Sequence, residues 1–193
     1  MAGHGGTVAI GHAGLMVLPS SAAGTLPSPR DPQQAYRICV VCLGNICRSP
    51  MAEVMLRAQL ERAGLSRKVE VDSAGTGDWH AGEAMDLRAR GELASRGFDG
   101  SGHTARQIQP SWLADYDLLL AMDRSNMAGL RELAAGDAEL TGRIRLLRSF
   151  DPAAPASAEV PDPYYGGPEK YAEVFDLVDS AARGLVSQLA AEL

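Results

Sequence analysis

The chain has 193 residues, enough for one domain with a single sizeable core, and its 46% hydrophobic and 22% charged residues are ordinary globular composition. A formal net charge of -6 argues against a nucleic-acid binder, and no apolar run approaches the ~20 residues that span a bilayer. An acidic total still leaves room for one local basic pocket, and so for a small anionic substrate.

Residues 1–35 are rich in Gly, Ala, Ser and Pro and lack sustained periodicity. They read as a disordered extension, with Met16 as an alternative start. A signal peptide would place basic residues before the apolar patch GHAGLMVLPSSAAG, yet the first Lys or Arg is Arg30, so a cytoplasmic location is expected. The folded domain is then 36–193.

Within it, residues 38–42 form a continuous apolar run, as in a strand buried on both faces. Residues 50–63 read as a helix, with Met51, Val54, Met55 and Ala58 on one face and Gly64 as its stop. A short strand at 69–71, a helix at 83–96, a strand at 116–122 and a helix at 124–134 follow. A fourth strand at 144–147, a Pro-rich loop at 151–168 and an amphipathic helix from 169 complete the chain. This alternation predicts an α/β fold: one open parallel four-stranded sheet with helices on both faces. Ligands of such sheets bind at the carboxyl ends of the strands, beside a helix N-terminus. Cys42 stands at such an end.

Cys39, Cys42 and Cys47 are the only cysteines, and all fall in one short segment. A secreted disulfide framework would spread an even number along the chain. Zinc is disfavoured too, because Cys39 and Cys42 have opposite strand parity and only His80 and His103 could complete a ligand set. No metal or cofactor is expected.

The segment CLGNICRSP sets a thiol and a guanidinium at the two ends of one loop. Backbone N–H groups of Leu43, Gly44, Asn45, Ile46 and Cys47 can curl around one centre, since Gly44 and Asn45 tolerate left-handed backbone. Such a nest binds an anion, and the positive end of the next helix adds to it. Ser49 can cap that helix and Pro50 suits its first turn. Arg48 offers a planar fork for two oxygens of a tetrahedral oxyanion. The same positive potential falls on Cys42, the setting in which a cysteine acts as a thiolate. Placed beneath a bound phosphate, it can attack phosphorus in line.

Expelling a phenol also needs a proton donor. Asp162, between Pro161 and Pro163 and followed by Tyr164 and Tyr165, is one candidate, and the two tyrosines could wall an aromatic slot. Asp151, also before a proline, is the rival.

CLGNICRSPMAE, DSAGTGDWH, HTARQ, AMDRSN and DPYYGG, in this order, resemble the low-molecular-weight protein tyrosine phosphatase family over residues 37–193. The resemblance implies a flavodoxin-like fold and a cysteinyl-phosphate intermediate. It makes Cys42 the nucleophile, Arg48 the clamp, and Asp162 the acid that then becomes the base. It gives Asn45, Ser49, Ser73 and His103 to a network that fixes the loop, and Trp79, Tyr164 and Tyr165 to the slot walls. It also implies that Cys47 can pair with the oxidised nucleophile. Phosphotyrosine proteins are the implied partners, with phosphate, vanadate or arsenate as inhibitors and neither nucleic acid nor membrane involved. An arsenate reductase of similar fold would need cysteines downstream of Cys47, and there are none. A protein arginine phosphatase carries Thr where this chain has Ile46. A non-catalytic phosphotyrosine-binding module would need neither the thiol nor the acid.

Overall fold

The computed structural model describes residues 25–193. Strand β1 (Tyr36–Cys42) is apolar at almost every position because both of its faces are covered. Ile38, Val40 and Cys42 point into one core layer, while Cys39 and Val41 point into the other. β2 (Val69–Gly75), β3 (Leu118–Ala121) and β4 (Ile144–Leu146) join it in the order β2-β1-β3-β4, every pair parallel.

Helices α1 (Arg48–Arg62), α2 (Leu87–Ser95) and α5 (Pro168–Glu192) fill the first layer, with Met51, Met55, Leu56, Leu93, Val178 and Leu185 among their buried side chains. Helix α3 (Arg124–Leu133) and a 3₁₀ turn, Pro110–Asp115, close the second layer through Leu130 and Leu113. Each such side chain, fully buried, contributes roughly 1.5–3 kcal/mol. Two short elements have no periodic signal in the sequence: α4 (Ala138–Thr141) and the 3₁₀ turn Leu147–Phe150.

Several boundaries differ from the sequence reading, and three of them have a clear physical reason. β2 runs on to Gly75, well past 71, because pairing with β1 continues until Gly75 lies opposite Cys42. The polar Asp72 and Ser73 that hid this extension are bonded by Tyr116 and Glu53. β3 starts at Leu118, since Asp117 turns its carboxylate back to accept the N–H groups of Arg30 and Arg37. α2 starts at Leu87 because Asp86 is its N-cap, accepting from the N–H groups of Arg88 and Ala89.

The extension also needs correction. Residues 1–24, Met16 among them, lie outside the described residues. Residues 25–35, read from sequence as part of the disordered segment, are tied to the domain. Leu26 packs on the first core layer, Tyr36 Oη donates to Pro27 O at 3.0 Å, and Arg30 Nε donates to Tyr116 O at 3.0 Å. Composition concealed this because the anchors are backbone atoms and single side chains, which leave no periodic pattern.

The chain leaves β1 for β2 on one side and then crosses back to β3 on the other. The loops after β1 and β3 therefore diverge, opening a crevice at the carboxyl ends of those strands. Among the described residues, no helix is long and apolar enough to cross a membrane.

Candidate active site

The loop from Cys42 to Arg48 is held by its carbonyls. Cys42 O accepts from Thr76 N–H, Leu43 O from Gly77 N–H, and Ile46 O from Asp86 N–H, each within 2.9 Å. Asn45 O accepts from His103 Nε2 at 2.7 Å, so that nitrogen carries the ring proton. In a trans peptide the N–H points opposite to the carbonyl. With four carbonyls bonded outward, the N–H groups of Leu43, Gly44, Ile46 and Cys47 turn the other way, the arrangement of an anion nest. Asn45 makes the turn with a φ of 55°.

Hydrogen bonds to Asn45 run in one direction. Ser73 Oγ donates to Glu53 Oε2 at 2.6 Å, so it is free to accept from Asn45 Nδ2 at 2.8 Å. The second Nδ2 proton goes to Ser49 Oγ at 2.9 Å, and Asn45 Oδ1 accepts from Arg106 N–H. Ser49 must then donate its own proton, and Cys42 Sγ lies 3.0 Å away, with Ala74 O at 3.3 Å. The N–H of Asn45 also reaches Cys42 Sγ at 3.2 Å. Charge developing on this sulfur thus meets donors that are already oriented.

Arg48 is buried at the other end. Its Nη1 donates to Asp123 Oδ2 at 2.6 Å and to Val160 O at 3.3 Å, while Nη2 meets Asp162 Oδ2 at 2.7 Å. Burial alone would lower its pKa, but Cys42, Asp123 and Asp162 around it raise it instead. Cys42, Leu43, Gly44, Ile46, Cys47 and Arg48 line a cleft of about 460 Å³ whose upper walls are Trp79, His80, Asp162, Tyr164 and Tyr165. Asp162 also accepts from the N–H of Tyr164 at 3.1 Å.

The family model for "Low molecular weight phosphotyrosine protein phosphatase" matches residues 37–193, the whole of the sheet and the site. The chain belongs to that family. A low molecular weight protein-tyrosine-phosphatase of Streptomyces coelicolor is 50% identical over 79% of this chain and 92% of its own length. The low molecular weight protein-tyrosine phosphatase A of Mycobacterium tuberculosis is 47% identical over 77% of this chain and 88% of its own. The crystal structure of YfkJ from Bacillus subtilis superposes with a TM-score of 0.76 at 35% identity, covering 82% of this chain and 96% of that one.

In this phosphatase, several residues stand elsewhere than the sequence reading put them. Asn45, read as a substrate contact, is fully buried behind the loop and is not among the residues lining the cleft. Ser49 does not cap α1; the cap position is Cys47, without a side-chain bond, because the Ser49 hydroxyl is spent on Cys42 and Asn45. Asp151, the rival acid, is buried away from the cleft and accepts from Ser180 and from the N–H of Ala153. Cys39, as its strand parity predicts, lies in the opposite core layer from Cys42 and Cys47. All three cysteines are free thiols, and burial pushes that of Cys47 up to about 12, with Sγ 3.9 Å from Tyr171 Oη.

Other functional positions were missed. Asp123, the N-cap of α3, accepts from Asn126 N–H at 2.7 Å, and its other oxygen holds Arg48. Its signal was its place just after β3, at the switch in strand order. Gly75 was missed because its need is steric: a Cβ there would lie 2.7 Å from Leu43 O and 3.1 Å from Asn45 N. Glu53 anchors Ser73 from α1, and His80 lines the cleft with Nδ1 bonded to Glu83.

Proposed function

We propose that this protein-tyrosine phosphatase hydrolyses phosphotyrosine in two steps through a phosphate ester of Cys42. The nest and Arg48 hold the three non-bridging oxygens, and Cys42 Sγ attacks phosphorus from below. The S–P bond forms as the P–O bond to the phenol breaks, and Asp162 donates its proton to the departing oxygen. A phenol titrates near 10, so leaving as phenol avoids expelling a strong base. In the second step Asp162, now a carboxylate, takes a proton from water as that water attacks phosphorus and releases the thiolate and inorganic phosphate.

The single observation that carries this reading is the sharing of Arg48 by Asp162 and the phosphate site. One guanidinium nitrogen is 2.7 Å from Asp162 Oδ2. A bound phosphate competes for that nitrogen and releases the carboxyl at the mouth of the cleft, beside the leaving group. The apolar Ile46 in the cleft lining suits a phenyl ring better than a guanidinium, which favours phosphotyrosine over phosphoarginine. We place the protein in the cytoplasm, supported by three free thiols in one segment.

Steady-state kinetics on phosphotyrosine, phosphoarginine and phosphoserine peptides test the substrate, and acid quenching followed by peptide mass spectrometry tests the intermediate. Phosphotyrosine should be preferred, phosphate should be trapped on Cys42, and vanadate or arsenate should compete. Preference for phosphoarginine, or label on another residue, would overturn the reading.

A further inference from the structure

Asp162 rides on a segment tied down on either side. Upstream, Val160 N–H donates to Met122 O at 2.8 Å and Val160 O accepts from Arg48. Downstream, a hydrogen bond from outside the segment comes from Arg88, on the first turn of α2. Its Nη1 donates to Tyr164 O at 2.9 Å, while Nη2 and Nε grip the carboxylate of Asp86 at 2.8 and 3.1 Å. The guanidinium also lies over two rings, 5.3 Å from the centre of Tyr164 and 5.0 Å from that of Tyr171. Asp86 in turn is fixed to the phosphate loop through its N–H bond to Ile46 O. One side chain therefore connects the phosphate loop to the segment bearing the acid.

We propose that Arg88 is a positioning residue that keeps Asp162 over the leaving group once phosphate has taken Arg48. This rests on Asp162 being the general acid. Arg48 holds Asp162 directly in this structure. With phosphate bound, that hold is lost, and Asp162 is steered by its bond from Tyr164 N–H, whose own carbonyl Arg88 holds. The role of Arg88 is thus greatest in the complex. Only a planar guanidinium can bond Asp86 through two nitrogens, bond Tyr164 O through a third, and lie across both rings.

The test measures kcat/KM over a series of aryl phosphates of rising leaving-group pKa for the wild type, Arg88→Ala, Arg88→Gln, Arg88→Lys, Asp162→Ala and the Arg88→Ala/Asp162→Ala double variant. This ratio reports the step in which the phenol leaves. Misplacing a catalytic group by about 1 Å costs on the order of 10²-fold. Arg88→Ala and Arg88→Gln should therefore lose about 10- to 10²-fold on the most basic phenols and least on the most activated ester, with vanadate affinity retained. Arg88→Lys should recover part of the loss, and the double variant should be no worse than Asp162→Ala. Equal loss across the series, a wild-type slope, or additive losses in the double variant would overturn the role of Arg88. If Asp162→Ala itself kept the wild-type slope, the general-acid reading would fall, and the role of Arg88 with it. Should Arg88→Ala not fold, Arg88→Gln decides.

Discussion

The two loops that build the site are opposites. Apart from Leu43 at the cleft mouth, 45% exposed, the phosphate loop is held inside: Asn45 and Ser49 are fully enclosed, the Arg48 side chain is 3% exposed, and its carbonyls and side chains are bonded to β2, α2 and the His103 region. The acid loop is open: the Asp162 side chain is 44% exposed, Tyr165 is 98% exposed, and prolines on both sides of Asp162 stiffen the backbone where bonds are few. Under the proposed mechanism the difference suits two tasks. Stabilising transition-state charge demands donors fixed in advance. Moving a proton out and back requires a group that can exchange Arg48 for a leaving oxygen and then for water.

The largest effects should come from breaking the buried loop. Cys42→Ser should abolish turnover yet still bind phosphate or vanadate, because the nest and Arg48 survive. Arg48→Ala should lower kcat/KM by about 10³-fold, the upper range for losing one transition-state donor, with Arg48→Lys nearly as poor. Calorimetric titration with vanadate and kinetics with contaminating enzyme excluded would check both. Breaking the open loop should cost less uniformly. Asp162→Ala is expected to lower kcat by ~10²–10⁴-fold for basic phenols and much less for activated ones. A loss independent of leaving group would make Asp162 structural.

Gly75→Ala sharpens the contrast from outside the loop. The new methyl would press on Leu43 O and Asn45 N, both backbone atoms, and should destabilise by roughly 1–3 kcal/mol. Denaturant unfolding measures that cost, while weakened vanadate binding would show that the nest itself has shifted.

Cys47 probes the loop under oxidation. It is a free thiol in the same loop and the same core layer as Cys42, and brief peroxide treatment should give a Cys42–Cys47 linked peptide and activity that dithiothreitol restores. Cys47→Ser should remain active but lose that recovery.

The effect that is absent at neutral pH, and grows only in alkali, is on stability. Burial raises the Cys47 thiol to about 12, and it also raises Cys39, Tyr36, Tyr116 and Tyr171. In the unfolded chain such thiols ionise near 8.5, so their protonated folded form adds stability that is complete below that pH and is lost as pH rises toward the folded value. Each group contributes a slope of about 1.4 kcal/mol per pH unit inside its window. Unfolding free energies measured from pH 7 to 11 should fall only in the alkaline half, less steeply in Cys47→Ala.

What the sequence determined by itself was whatever is local or periodic. The buried runs at β1 and β3, the helical spacing of α1 and α5, and the C-x5-R loop at a strand end each lie within one short segment, where 2.0 and 3.6 periodicities and loop chemistry can be read directly. What only the tertiary structure decided depends on groups far apart in the chain. Asp123 holds Arg48 and Arg88 holds Tyr164 across 75 and 76 residues, Gly75 makes room for a loop it does not belong to, and Arg30 fastens the extension to Asp117. The different surroundings of Asp162 and Asp151 are of the same kind. Both are aspartates before prolines in one loop, and only packing separates them: Asp151 is enclosed beside Ser180, whereas Asp162 stands in the open against Arg48. Local propensity carries no information on which side of a sheet a loop will return, because that is set by the burial of distant side chains on both faces.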